Sequence, residues 1–425
     1  MGKKSFSATK LRDFLILRLQ HIWITIELYQ KNRLANHAAA GAYAFLLSAA
    51  PVLLIISYFI SRFLVNSPEL VADMLQGIGF LSGVINANEF INNFLGSTNP
   101  GFAGILTVIP LLWTARLCAL SMQRGLGVIF PSSRFNPIKA AAIPLGLGFL
   151  VILYIFTMLM ESSLAQYFYK SLNFFLQGSV SSVFSIFPSY LLSLIILAVL
   201  VMVSYRIIPE NPPKWKYIIT GALICIVLKE IFTFIFSIFI NPDRYNLLYG
   251  ALGRLFLLLA NVYFFFIFFL LCAQFIMVQN YSEPLLFIRF RKQRLKSAKS
   301  LIPFDRLFTS LPSSLSRYSG FFRGGEVIFI RGSVGTEVYY VLSGKAGVYL
   351  DEKCLNRIDI IEENHFFGEM EFVVSDGRSA SIKAETDLSV LILPRDLFRS
   401  IMQNDPDTDQ NLILDLSERL RSRNR

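Results

Sequence analysis

Charge is what this chain has least of. Asp, Glu, Lys and Arg make up 16% of its 425 residues, against about a quarter in an ordinary soluble protein. With a mean hydropathy of +0.53, the composition excludes a protein that is soluble over its whole length. Histidine is scarce, and His21, His37 and His365 lie far apart. The cysteines Cys118, Cys225, Cys272 and Cys354 include no two close enough for a metal motif. The first three sit in apolar runs, where cysteine acts as a small buried hydrophobe. No metal site is expected. Without a His or carboxylate cluster to hold a catalytic metal, no enzyme is expected either. The basic start "MGKKSFSATKLRDFLILRLQ" lacks a compact apolar core and a small-residue cleavage site, so it does not read as a signal peptide. A TVGYG-type filter and a sensor helix with Arg at every third position are also absent, which sets aside a gated channel.

What is present is a series of runs long enough to cross a bilayer, which takes about 20 residues each. They are "HAAAGAYAFLLSAAPVLLIISYFISRFL", "GFAGILTVIPLLWTARLCALSMQ", "AAAIPLGLGFLVILYIFTMLM", "YLLSLIILAVLVMVSY", "YIITGALICIVLKEIFTFIFSIFI" and "LFLLLANVYFFFIFFLLCAQFIMV". Pro51, Pro110 and Pro144 fall inside the first three, as membrane helices tolerate. The net charge of +11 comes largely from Lys and Arg beside these runs, so it reads as membrane flanks and not as a nucleic-acid surface. Arg124, Arg134 and Lys139, then Arg206, Lys214 and Lys216, then Arg289 to Lys299 mark cytoplasmic connections, while Glu69, Asp73 and Glu89 mark an outer one. An even number of spans places both termini in the cytoplasm. Residues 8–33 read as a basic amphipathic helix lying on the membrane face. Ala38, Gly41, Ala42, Ser48 and Ala49 form a stripe of small residues that lets another helix approach closely.

Polar residues inside these runs are candidates for function. Arg116 lies deep in the second run, Lys229 and Glu230 near the middle of the fifth, and Asn261 and Gln274 in the sixth. Such groups face a bundle interior or a wet cavity. Two readings stay open: a polar path or cleft for an anionic or amphipathic substrate, or a structural ion pair such as Arg116 with Glu230. Neighbours on a helix are about 100° apart, so Lys229 and Glu230 are not expected to share a face. The turn at Tyr205, Arg206 and Pro209 reads as an interfacial anchor.

After "FIRFRKQRLKSAKS" the composition changes. Short β-type runs, "GEVIFIRG", "EVYYVLSG", "KAGVYL", "SASIKAE" and "SVLILP", alternate with turn glycines and suggest an antiparallel roll. "RDLFRSIM" and "TDQNLILDLSERLRSR" read as closing helices, with Asp407 or Thr408 as N-cap of the second. This segment, from about 303 to 425, resembles the cyclic-nucleotide-binding domain. Gly325, Gly332, Gly335 and Gly344 match its scaffold glycines, "YYVLSG" its central strand and "FFGEM…GRSAS" its phosphate cassette. The resemblance implies that Glu369 takes the ribose hydroxyl, Arg378 the cyclic phosphate and Ser379 a supporting contact. Backbone N–H groups from Gly368 to Met370 would add anion contacts at a helix start. Ser333 stands where the family commonly has Asp, and Glu371 where it usually has a small residue. Pointing inward, the Glu371 carboxylate would cost a bound phosphate about 3 kcal/mol at 5 Å and an effective dielectric of 20. No helix-turn-helix follows the roll, which argues against a transcription factor.

"AAAGAYAFLLSAAPVLLIIS", "LLWTARLCALSMQRGLGVIF" and "LYGALGRLFLLLANVYFFFIFFLLCAQF" resemble the YihY/BrkB family of bacterial inner-membrane proteins, over about 35 to 280. Its label as a ribonuclease does not carry over, because no metal-binding cluster accompanies it. The expected fold is an α-helical integral membrane bundle of about six transmembrane helices plus a C-terminal β-roll with flanking helices. The expected domains are an interfacial helix over 1–33, a membrane domain over 34–283, a basic linker over 284–301 and a nucleotide-binding-like domain over 302–425. Two functions fit. One is a transporter or lipid translocator regulated by a cytosolic cyclic mononucleotide, cAMP or cGMP, with no other cofactor. The other is an envelope scaffold with a ligand-free roll. The bilayer is the evident partner, a homo-oligomer is open, and no nucleic-acid partner is expected.

Overall fold

The computed structural model describes residues 2–63, 102–130, 137–159, 180–239, 242–295, 307–350, 357–370 and 377–405. The chain divides into two compact units, one of Thr25–Asn280 and one of Met1–Ile24 with Tyr281–Arg425.

The first unit is helical because its runs are apolar for longer than any strand. Helix α1, Gly2–Lys31, begins outside this unit and ends inside it. The others are α2 (Leu34–Phe63), α3 (Phe102–Ile129), α4 (Pro137–Leu159), α5 (Val180–Ile207), α6 (Trp215–Phe239) and α7 (Pro242–Asn280). Helices α2 to α7 pack in chain order, and α7 returns to α2, so they close a ring. Three stretches among the described residues are long and apolar enough to cross a membrane: Tyr190–Ile207, Trp215–Phe239 and Phe256–Asn280. Helix α4 runs through Pro144 unbroken.

The small-residue stripe on α2 does what its composition suggests. Ala38 and Ala42 are buried, and a Cβ on Gly41 would come within 2.5 Å of the Phe266 ring on α7. Gly125 on α3 and Gly221 on α6 likewise abut Leu270 and Ile276 of α7. The side chain of Ala49 lies outside the described residues. Tyr205 is not an interfacial anchor. It is fully buried, stacks on Phe269 at 5.0 Å and donates its hydroxyl to the Phe269 carbonyl at 2.7 Å. The anchor at that turn is Arg206, which donates to the Pro213 carbonyl at 3.1 Å and covers the Trp215 ring. Cys118, Cys225 and Cys272 are buried and reduced.

The second unit holds α8 (Ser282–Leu295), eight strands and α9 (Arg395–Asn404). Strands β1 (Ser319–Phe322), β8 (Leu388–Leu393), β3 (Val338–Ser343) and β6 (Phe366–Phe367) make one antiparallel sheet. Strands β2 (Val327–Phe329), β7 (Ser381–Ala384), β4 (Ala346–Tyr349) and β5 (Arg357–Ile361) make the other. Successive strand side chains alternate between two cores. On β3, Val338 and Tyr340 pack with the helices, while Val341 packs between the sheets. Phe366 and Phe367 divide in the same way on β6.

Of the expected linker over 284–301, only residues 284–295 are described. Residues 284–295 lie in α8, and Phe287, Ile288 and Phe290 enter the same core as Tyr340, Phe366 and Phe398. The basic residues between them dock instead of lining lipid. Arg294 donates to Asn364 Oδ1 at 2.7 Å and to the Leu342 carbonyl at 2.6 Å. Arg291 lies over the Phe366 ring, and Lys292 bonds Asp405 at 2.7 Å. Of the two closing helices only α9 falls within the described residues; Asp407 and Thr408 lie outside them.

Helix α1 differs from the amphipathic reading. Over its whole length the apolar residues do not share one face. Between residues 15 and 26 the helix is apolar on more than one side: Leu15, Leu19, Ile22 and Ile26 are 41–53% exposed, whereas Ile24 is buried together with Gln20, His21 and Thr25.

Candidate functional site

The cassette hangs between β6 and β7. After Phe367 the backbone turns at Gly368 with φ +80°, then Glu369 is buried at 2% exposure and Met370 opens a helical turn. Residues 371–376, Glu371 among them, lie outside the described residues. The chain returns at Gly377, with φ +75°, into Arg378 at 4% exposure and a half-buried Ser379. The Arg378 backbone is locked to the opposite turn. Its carbonyl accepts from Gly332 N–H at 2.8 Å, and its N–H donates to the Ser333 carbonyl at 3.0 Å. Ser333 closes that turn itself by donating to the Ile330 carbonyl at 2.6 Å, which accounts for its standing in an aspartate's place.

The Arg378 side chain is caged. Nη1 donates to the Gly368 carbonyl at 2.8 Å and Nη2 to the Glu337 carbonyl at 2.9 Å. The Glu337 carboxylate is 3.8 Å from Nη2, and the guanidinium covers the Phe329 ring at 4.3 Å. Phe329 belongs to an aromatic group in which Tyr339 stacks on Phe367 at 4.8 Å. Burial raises the Tyr339 phenol pKa above its usual value. Two glycines make room for the cage. A Cβ on Gly335 would lie 2.6 Å from Nη2, and one on Gly368 would overlap Nη1. Gly325, Gly332 and Gly344 have positive φ, as turn glycines do; Gly335 is needed for close approach instead.

Arg378 reaches the carbonyl of Gly368, the residue before Glu369, at one end of the roll. Arg378 faces carbonyl oxygens there instead of an open anion site. Glu337 is the residue that sequence reasoning missed. Strands β3 and β6 pair Tyr339 with Phe367, and Glu337, two residues before Tyr339, lies beside Arg378.

The membrane candidates are not one constellation. Lys229 and Glu230 do meet, at 2.7 Å, because long side chains on adjacent helical residues can bend toward each other across 100°. Tyr190 of α5 also donates to the Glu230 carboxylate. The expected partner Arg116 is therefore not what Glu230 is paired with. Gln274 is buried and accepts from Asn32 Nδ2 at 3.4 Å, while Asn261 is half-buried on α7.

Comparison with known proteins fits both halves. The Virulence factor BrkB family matches residues 25–293. The chain belongs to that family. In this BrkB-family protein a cyclic nucleotide-binding domain follows, matching residues 320–405. A putative potassium channel protein of Rhodopseudomonas palustris is 30% identical over 82 residues, 19% of this chain and 20% of that one. A CRP-like cAMP-activated global transcriptional regulator of Mycobacterium tuberculosis is 28% identical over 105 residues, 24% and 47% of the two chains. The BrkB-family chain thus spans a fifth to about half the length of these relatives. Among solved structures, the Thermus thermophilus catabolite activator protein is 29% identical, with a TM-score of 0.23 over 26% of this chain and 54% of its own.

Proposed function

We propose that this BrkB-family protein is a multi-pass protein of the inner membrane, with both termini cytoplasmic, whose membrane domain moves a solute or lipid under control of a cyclic mononucleotide. It is a binding and transport protein, not an enzyme. The observation that carries the reading is the cassette: a buried Arg378, a buried Glu369 and two glycines, Gly335 and Gly368, where a side chain would meet the guanidinium. A cyclic phosphate would replace the Gly368 and Glu337 carbonyls as acceptor of the Arg378 N–H groups, and Glu369 would accept from the ribose hydroxyl. Ser379 and the N–H groups of Gly368 to Met370 would complete the anion contacts. Lys229, Glu230 and Tyr190 would line the polar part of the membrane path.

The alternative, an envelope scaffold with a ligand-free roll, has one observation in its favour. Arg378 is already bonded to two carbonyls and stacked on an aromatic ring. Calorimetry of the full chain in nanodiscs against cAMP and cGMP separates the two. Saturable binding that weakens about 30- to 1000-fold in Arg378→Ala, roughly 2–4 kcal/mol, is the expected result. No binding of either nucleotide by the wild type would establish the scaffold reading. The full chain is required because α8 belongs to the core of the roll.

A further inference from the structure

Helix α1 carries an exposed apolar stripe. Leu15 (53%), Leu19 (52%), Ile22 (47%) and Ile26 (41%) are exposed. At about 100° per residue they fall within roughly 60° of one another, on a single stripe. The opposite side carries Gln20, His21 and Ile24, all buried, and Gln20 donates to the Leu307 carbonyl at 2.7 Å. A helix in contact with water on one side keeps polar residues there, so four aliphatic side chains on one exposed stripe call for a cover.

Three observations say what covers the stripe. The first is connection. Only Asn32 and Arg33 separate α1 from α2, and Arg33 turns the chain with φ +50°. The end of α1 is therefore held beside the start of α2, which carries the first apolar run long enough to cross a bilayer. Ile26 lies about 8 Å along the helix from that end and Leu15 about 24 Å, at 1.5 Å per residue. The second is charge. Lys3, Lys4, Lys10, Arg12 and Arg18 precede or flank the stripe against two acids, Asp13 and Glu27. The third is the margin of the stripe. Arg18 is exposed and stacked over Phe14, and Trp23 is half-buried; both types favour the headgroup layer.

We propose that residues 15–26 of α1 lie in the headgroup layer of the protein's own bilayer, with Leu15, Leu19, Ile22 and Ile26 against acyl chains and the basic residues against anionic headgroups. A helix that carries one apolar stripe and a basic margin binds such a surface by area and charge together. The proposal does not depend on nucleotide binding.

The test uses the full chain with its cysteines replaced and a bimane label on Leu19→Cys, Ile22→Cys or Val334→Cys. Val334, 88% exposed in the roll, is the water-facing reference. Each is placed in nanodiscs of phosphatidylcholine with phosphatidylglycerol, with and without lipid spin-labelled near the headgroup. Positions 19 and 22 should be quenched several-fold more than 334. The difference should shrink when Arg12 and Arg18 are both changed to Gln in discs without phosphatidylglycerol. The sites are exposed, so the labels remove no core contact. Quenching at 19 and 22 no greater than at 334 overturns the proposal. Disulfide cross-linking of Leu19→Cys between chains, without lipid quenching, also overturns it and makes the stripe a seam between two copies.

Discussion

At the scale of single residues, Gly335 and Gly325 are both glycines of the roll, and they are glycine for different reasons. Gly325 has φ +90° with open space around its α-carbon, so Gly325→Ala meets backbone strain and should lower stability by about 1 kcal/mol. Gly335 has no such φ, but its new Cβ would meet Arg378 Nη2 at 2.6 Å. The end of an arginine side chain moves cheaply, so Gly335→Ala should keep its melting temperature and weaken nucleotide affinity about tenfold, about 1.4 kcal/mol. Calorimetry beside thermal melting checks the pair. Glu337→Gln should act the other way and tighten binding about two- to fivefold. Its carboxylate competes for Nη2 at 3.8 Å but is 44% exposed, so the competition is screened. His21 gives a pH dependence. Burial, helped by Arg18, lowers its pKa from 6.5 to about 4, so it folds as the neutral ring. Its contribution is present above about pH 6.5 and is lost as pH falls toward 4. His21→Gln should flatten that part of the melting-temperature profile, and an unchanged slope between pH 7 and 5 would reject the assignment. The pair Glu369 and Arg378 was legible because both sit in one short motif. Glu337 was not, because it is 41 residues from Arg378 and only strand pairing brings it there.

At the scale of elements, α7 is the helix on which the glycine faces of α2, α3 and α6 converge, through Gly41, Gly125 and Gly221. Lipid chains are as apolar as leucine, so close backbone approach and packing hold such helices together. Gly221→Val should push α6 from Ile276 and cost about 1–3 kcal/mol, read as an earlier loss of the monodisperse peak on heating in detergent. Gly127→Ala and Gly146→Ala are the controls. Nothing lies within 4 Å of either new methyl, and the gain in helix propensity should leave the variants as stable as the parent or slightly more so. A drop in the controls equal to that of Gly221→Val would remove close packing as the cause. The membrane helices were legible because a run of 20 apolar residues has few other uses. Helix α8 was not. "FIRFRKQRL" places arginines beside a membrane run, and a composition rule sends those to the lipid surface. Folding sends Phe287 and Phe290 into the roll and Arg294 onto Asn364, contacts made with residues far along the chain.

At the scale of the whole molecule, the chain passes between the two units twice, within α1 after Ile24 and between α7 and α8 after Asn280. The sequence alone suggested a single connection, since α1 gave no sign that its first 24 residues group with the C-terminal unit. These two crossings are the covalent routes from a nucleotide to the membrane helices, and its influence is limited to the ligand's differential affinity for two states, typically 1–3 kcal/mol. The second crossing has the more direct claim. Helix α8 follows α7 after Tyr281 alone, and it is tied to α9 by the 2.7 Å bond between Lys292 and the buried Asp405. Movement of α9 when the cassette fills would reach α8 through that bond. Lys292→Ala should therefore keep saturable nucleotide binding and lose at least half of the nucleotide's effect on hydrogen exchange along residues 256–280. Lys292→Arg, which keeps the charge, should retain most of it. If exchange along 256–280 responds to nucleotide in Lys292→Ala as it does in the parent, transmission runs through α1 instead. In that case Gln20→Ala, which removes the bond to the Leu307 carbonyl, is the variant that should uncouple the two units.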